Sequence, residues 1–103
     1  MSFQVTLNDI AKEDLVIIEE YLSQFYESTA MKFFESLERQ VSLLEDSPFM
    51  CPVYEDNPKF RRMIFDNYLL FYSVDESRSL VKIRRIFHQS RDVCQLIEAN
   101  CED

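Results

Sequence analysis

Residues 60–92 read FRRMIFDNYLLFYSVDESRSLVKIRRIFHQSRD, and this stretch decides the fold. Residues 68–74 form an apolar and aromatic run of strand length, with polar turn clusters before it (Asp66-Asn67) and after it (residues 75–79). Residues 80–88 follow, rich in β-branched and apolar side chains. Strands joined by short turns pair most readily with their sequence neighbours, so the stretch predicts an antiparallel meander. Arg61 and Arg62 open the first of its strands. The same stretch holds most of the positive charge and the only histidine of the chain.

Upstream, residues 3–7 (FQVTL) alternate with a period of two, as a half-buried strand does. Asn8 or Asp9 can then cap a helix of about 17 residues, on which Ala11, Leu15, Ile18, Leu22 and Phe25 share one face. Ser28 or Thr29 restarts the pattern, and Ala30, Phe34, Leu37, Val41 and Leu44 repeat it. So short a separation predicts an antiparallel helical hairpin. Pro48 and Pro52 end the second helix and open an irregular segment over residues 47–59. A last short helix is expected from Ser90, with Val93, Leu96 and Ile97 facing inward. The expected class is α+β, a single domain over residues 1–103: an N-terminal strand, a helical hairpin on an antiparallel sheet, and a short C-terminal helix.

Composition narrows the function. The net charge of -8 argues against a simple nucleic-acid binder, but the charge is unevenly placed. Residues 1–58 carry 3 basic and 12 acidic side chains, whereas residues 59–92 carry 8 basic and 4 acidic. A basic sheet on an acidic body suits an anionic partner or an acidic peptide. The absence of glycine excludes a phosphate-cradling glycine loop. Cys51, Cys94 and Cys101 lack metal-ligand spacing and read as small core thiols in a cytoplasmic protein. No apolar run has membrane-spanning length, and residues 1–9 lack the pattern of a signal peptide. No metal site and no cofactor are expected.

Within residues 80–88, strict alternation places Lys82, Arg84, Ile86 and His88 on one face. Val81, Ile83, Arg85 and Phe87 then take the other, more core-like face. Arg85 is out of character there. It either pairs with a helix carboxylate such as Glu19 or Glu20, or binds an anion in a groove. A β-bulge would exchange the faces of Arg84 and Arg85. His88 ends the strand, and imidazole can act as an acid or base near neutral pH. Tyr68 and Tyr72 share a face, where core packing is expected. Arg91 sits unfavourably in the first turn of the expected last helix, whereas Asp92 suits the dipole there.

Taken together, Arg61-Arg62, residues 67–72 (NYLLFY), residues 74–76 (VDE), residues 81–83 (VKI) and residues 85–88 (RIFH) with Arg91-Asp92 resemble the RelE/ParE toxin superfamily. These are the plasmid-stabilisation toxins of bacterial type II toxin–antitoxin modules. Residues Ala11, Asp14-Leu15, Ile18, Tyr21-Leu22, Ala30, Phe33-Phe34, Leu37, Leu44 and Pro48 carry the likeness through the N-terminal half. The resemblance implies a growth-inhibiting toxin, bound by an antitoxin in a cytoplasmic hetero-oligomer. RelE-like members cleave mRNA on the ribosome without a metal, as mRNA interferases, and this is the activity expected here; the alternative is that of ParE-like members, which inhibit DNA gyrase. In the nuclease branch, Arg62 and Arg85 would stabilise phosphate charge and His88 would transfer the proton. Arg61, Tyr68, Tyr72, Arg84 and Arg91 would contact substrate. The chain departs from that branch in its acidity and in lacking a lysine-rich helix and a C-terminal catalytic tyrosine. A third reading is a non-toxic interaction module that keeps the fold.

Overall fold

The structure, a computed structural model, describes residues 2–89. The expected C-terminal helix, with Arg91, lies outside them. The elements run β1 (Gln4–Leu7), α1 (Asp9–Leu22), α2 (Glu27–Asp46), β2 (Arg61–Phe65), β3 (Tyr68–Asp75) and β4 (Leu80–His88), with a 3₁₀ turn at Glu76–Arg78. The strands form one sheet in the order β1-β4-β3-β2. β2, β3 and β4 make the antiparallel meander, but β1 runs parallel to β4, so the sheet is mixed. Parallel neighbours require a long crossover, and everything between β1 and β4 supplies it.

Local chemistry sets the boundaries. Asn8 caps α1, its Oδ1 accepting from the Ala11 N–H at 2.8 Å. Asn8→Ala should therefore cost about 1 kcal/mol in urea unfolding, with little change in the slope of the transition. Asp66 and Asn67 both take positive φ (50° and 67°). That is the two-residue hairpin geometry these residue types tolerate, and it fixes the β2–β3 register. Asp75 closes the next turn, accepting from the Ser77 hydroxyl at 2.7 Å and the Arg78 N–H at 3.3 Å. Those contacts, the Ser77 hydroxyl first, hold its carboxyl below its ordinary pKa.

α1 is shorter than expected, 14 residues, and ends before Phe25. Phe25 is thereby released from the inner face and is 57% exposed, edge-on to Tyr21. Elsewhere the expected inner faces hold at Ala11, Ile18, Leu37 and Leu44, but in α2 it is Phe33, not the expected Phe34, that is fully buried; these residues pack against Met63, Phe65, Tyr68, Leu70, Tyr72, Val81, Ile83 and Ile86. On the other sheet face, Tyr54 and Phe60, from the segment before β2, cover Leu69, Phe71 and Phe87. β3 is thus buried on both sides, which is why residues 68–72 are apolar without alternation.

Candidate functional site

The register of β4 slips between Phe71 and Tyr72, which pair with Arg85 and Ile83. Arg84 is the extra residue of a β-bulge. Val81 and Ile83 face the helices, and the bulge returns Ile86 to that side as well. Phe87 turns to the opposite layer. The strict alternation expected for this strand is therefore overturned. A three-residue step between the core positions Ile83 and Ile86 cannot occur on one face of a period-two strand without an insertion. That spacing was the sequence signal for the bulge.

At the bulge, Asp14 of α1 takes three hydrogen bonds. Arg85 donates from Nε at 2.7 Å and from Nη2 at 3.0 Å, and the Ile86 N–H donates at 3.1 Å. The side chains are 11% and 9% exposed, so this is a buried, two-pronged ion pair. The partner of Arg85 is Asp14 rather than Glu19 or Glu20, both of which face solvent. The Arg85 guanidinium also lies over the Phe87 ring, 5.5 Å from its centroid. Beside this pair opens a cleft of about 390 Å³, lined by Ile17, Ile18 and Tyr21 of α1 and by Tyr68, Ile86, Phe87 and His88 of the sheet. The exposed His88 ring stands edge-on to Tyr68 at 5.4 Å. Burial, and then the neighbouring Tyr21, push the Tyr68 phenol above its ordinary pKa.

The other candidates lie elsewhere. Arg62 is exposed on the face away from the helices, its guanidinium 5.9 Å from the Tyr54 ring centroid. Arg84 shares that face, donating from Nε to Ser73 Oγ at 3.1 Å, and burial lowers its pKa. Lys82, paired with Ser73 across the ladder, is on the same side. Arg61 points to the helix side, where Nη1 donates to the Cys51 carbonyl at 2.6 Å under the Phe49 ring. Tyr72 is fully buried, and its hydroxyl donates to the Pro48 carbonyl at 2.9 Å. Burial first, then Cys51, raises its phenol well above the ordinary range.

Two surfaces result. One is the cleft between α1 and the end of β4, with His88, Tyr68 and the Asp14–Arg85 pair. The other is a cationic sheet face with Arg62, Lys82 and Arg84. Arg62, Arg85 and His88 are not brought together: Arg62 and His88 are on opposite faces, and Arg85 is held by Asp14. Sequence reasoning named neither Asp14 nor Lys82 as a site residue. No group of three or more His, Cys, Asp or Glu side chains that could hold a metal occurs among the described residues. None of the described helices is long and apolar enough to cross a membrane.

The family model for the ParE toxin of the type II toxin–antitoxin system parDE matches residues 5–93. Solved structures share the fold at low identity. The toxin–antitoxin system ParDE of P. aeruginosa aligns at TM-score 0.71 and 16% identity, over 84% of this chain and 96% of that one. The RelBE2 complex of Mycobacterium tuberculosis gives 0.63 and 17%, over 88% and 95%. The isolated E. coli RelE toxin gives 0.63 and 12%, over 95% and 98%. No curated protein matches the chain.

Proposed function

The chain belongs to the ParE toxin family of type II toxin–antitoxin systems, and on that premise we propose that it arrests growth by binding DNA gyrase, not by cutting mRNA. The observation that supports this reading is the separation of Arg62 from His88 by the thickness of the sheet, with Arg85 tied to Asp14. Metal-independent RNA cleavage needs a proton-transfer group and a charge-stabilising cation around one phosphate. Those three residues do not converge on one. In this proposal the toxin is cytoplasmic and is held in a hetero-oligomer by a cognate antitoxin.

A second reading draws on the cationic face. Arg62, Lys82 and Arg84 could bind a phosphate backbone, so a ribosome-dependent nuclease would work there, without His88. Induced expression of the chain alone, with pulse labelling of DNA and protein synthesis, separates the two. The expected result is that DNA synthesis stops first, that His88→Ala arrests growth as strongly as the parent chain, and that the purified protein inhibits gyrase supercoiling. Protein synthesis stopping first, with mRNA cut on ribosomes and Arg62→Ala abolishing the cut, would overturn the proposal. A chain that leaves growth unchanged would sink the toxin reading altogether.

A further inference from the structure

The sheet face away from the helices carries cations that the fold does not consume. Arg62 of β2 is exposed there, its guanidinium 5.9 Å from the Tyr54 ring centroid. Lys82 of β4 is half-buried on the same face. Neither is within ion-pair distance of a carboxylate among the described residues. The register fixes their spacing. Arg62 is opposite Phe71, and Lys82 is opposite Ser73, two residues further along β3. Two strand spacings across the sheet and two residues along it place the two backbones about 12 Å apart. Arg84, next to Lys82 but one residue on, is held toward β3 by Ser73 Oγ. The exposed acids of α1 and α2 lie across the sheet, on the helix side. On the cationic side, Asp75 is paired with Arg78, and Asp56 accepts from the Tyr54 hydroxyl at 3.2 Å. The face is therefore locally positive on a chain of net charge -8.

We propose that this face binds the phosphate backbone of duplex DNA, and that through it the toxin touches the DNA that gyrase holds. The second half of the proposal rests on the gyrase reading. Duplex DNA is a stiff polyanion with one charge per roughly 1.7 Å of axis, so it offers a phosphate to Arg62 and another to Lys82 at once. Their separation of about 12 Å is also close to the width of the major groove, whose two rims carry the phosphates. A flexible acidic peptide would instead lose chain entropy to reach both cations. Contacts of this kind position the duplex and carry no sequence information, so the binding is indifferent to sequence. His88 is across the sheet, beside Tyr68, so the contact holds the backbone without a proton-transfer group at the phosphate. A toxin that touches both gyrase and its DNA is retained by the pair more strongly than by the enzyme alone, because the second contact forms at high effective concentration.

The test is fluorescence anisotropy of the full chain with a labelled duplex of about 20 base pairs, followed over a salt series. Two phosphate contacts predict an affinity that falls about twelvefold between roughly 50 and 200 mM salt, whatever the sequence. Arg62→Gln should weaken every duplex alike and halve the dependence on log salt. Arg62→Glu with Lys82→Glu should abolish binding, and circular dichroism checks that both variants keep the fold. With purified gyrase, adding the unlabelled duplex should tighten capture of the labelled toxin about tenfold, and the double reversal should erase that gain. No binding of the duplex at about 100 µM in low salt, or a salt dependence unmoved by Arg62→Gln, would overturn the inference. So would tighter binding of a polyglutamate peptide, of an RNA strand of the same length or of phosphatidylglycerol vesicles. The two readings fail separately. Gyrase capture that DNA leaves unchanged would overturn the inference and keep the gyrase reading, whereas a chain that binds the duplex but not gyrase would keep the DNA contact and overturn the gyrase reading.

Discussion

Replacing Asp14 by alanine should destabilise the protein by about 3–5 kcal/mol, the range for removing one partner of a buried ion pair. The loss has two parts. The Arg85 guanidinium is left with little solvent and without its carboxylate, since its side chain is only 11% exposed. The Ile86 N–H also loses its acceptor at the point where the ladder is interrupted by the bulge. Urea unfolding measures the sum. For a chain of this size such a loss is a large share of a typical total of about 5–15 kcal/mol. The double substitution Asp14→Leu with Arg85→Leu removes both charges together and should recover most of it. It should stay short of the parent by about 1–3 kcal/mol, the cost of the unsatisfied Ile86 N–H. If Asp14→Ala unfolds at the parent's denaturant midpoint, Arg85 is not held by this pair. If the double variant is no better than the single one, buried charge is not the source of the loss.

Phe71→Ala should cost about as much, roughly 3–5 kcal/mol, but through packing. Phe71 is fully buried between Tyr54, edge-on at 5.0 Å, and Phe87 at 5.6 Å. This second apolar layer is small, with Tyr54, Phe60 and Leu69 completing it together with those residues. Few neighbours are available to collapse into the cavity, which places the cost toward the upper end. The effect should spread to the cationic face, because Tyr54 is the ring beneath Arg62. Hydrogen exchange should show residues 53–61 losing protection beyond the global change, since the Tyr54 N–H to Phe60 carbonyl bond and the Val53–Arg61 bridge close that loop. A loss below about 1 kcal/mol would mean that the layer is not tightly packed.

Most of the fold was legible in the chain, and for local reasons. The 3.6-residue periodicity of α1 and α2, the Asn8 cap, the Asp66-Asn67 turn and the apolar run of β3 each depend on residues close in sequence. The likeness to the toxin superfamily was legible too, because it rests on an ordered series of such short patterns. The face exposed by Phe25 was misjudged because helix periodicity continues in the sequence past the point where the chain leaves the helix.

The candidate site was less legible, because it depends on contacts between distant residues. Asp14 and Arg85 are 71 positions apart, and Asp14 had no mark in the sequence to separate it from Glu19 or Glu20 as the partner. The three-residue step from Ile83 to Ile86 hinted at the bulge. Only the register of β4 against β3 determined that Arg84 would be the inserted residue and that His88 would face α1. The amino-acid sequence by itself determined the elements, their order and the family, since backbone propensity and hydrophobic period act over a few residues. The tertiary structure alone decided which cations are spent on holding the sheet and which face a partner, because a charge acquires its role from what is packed within a few ångströms of it.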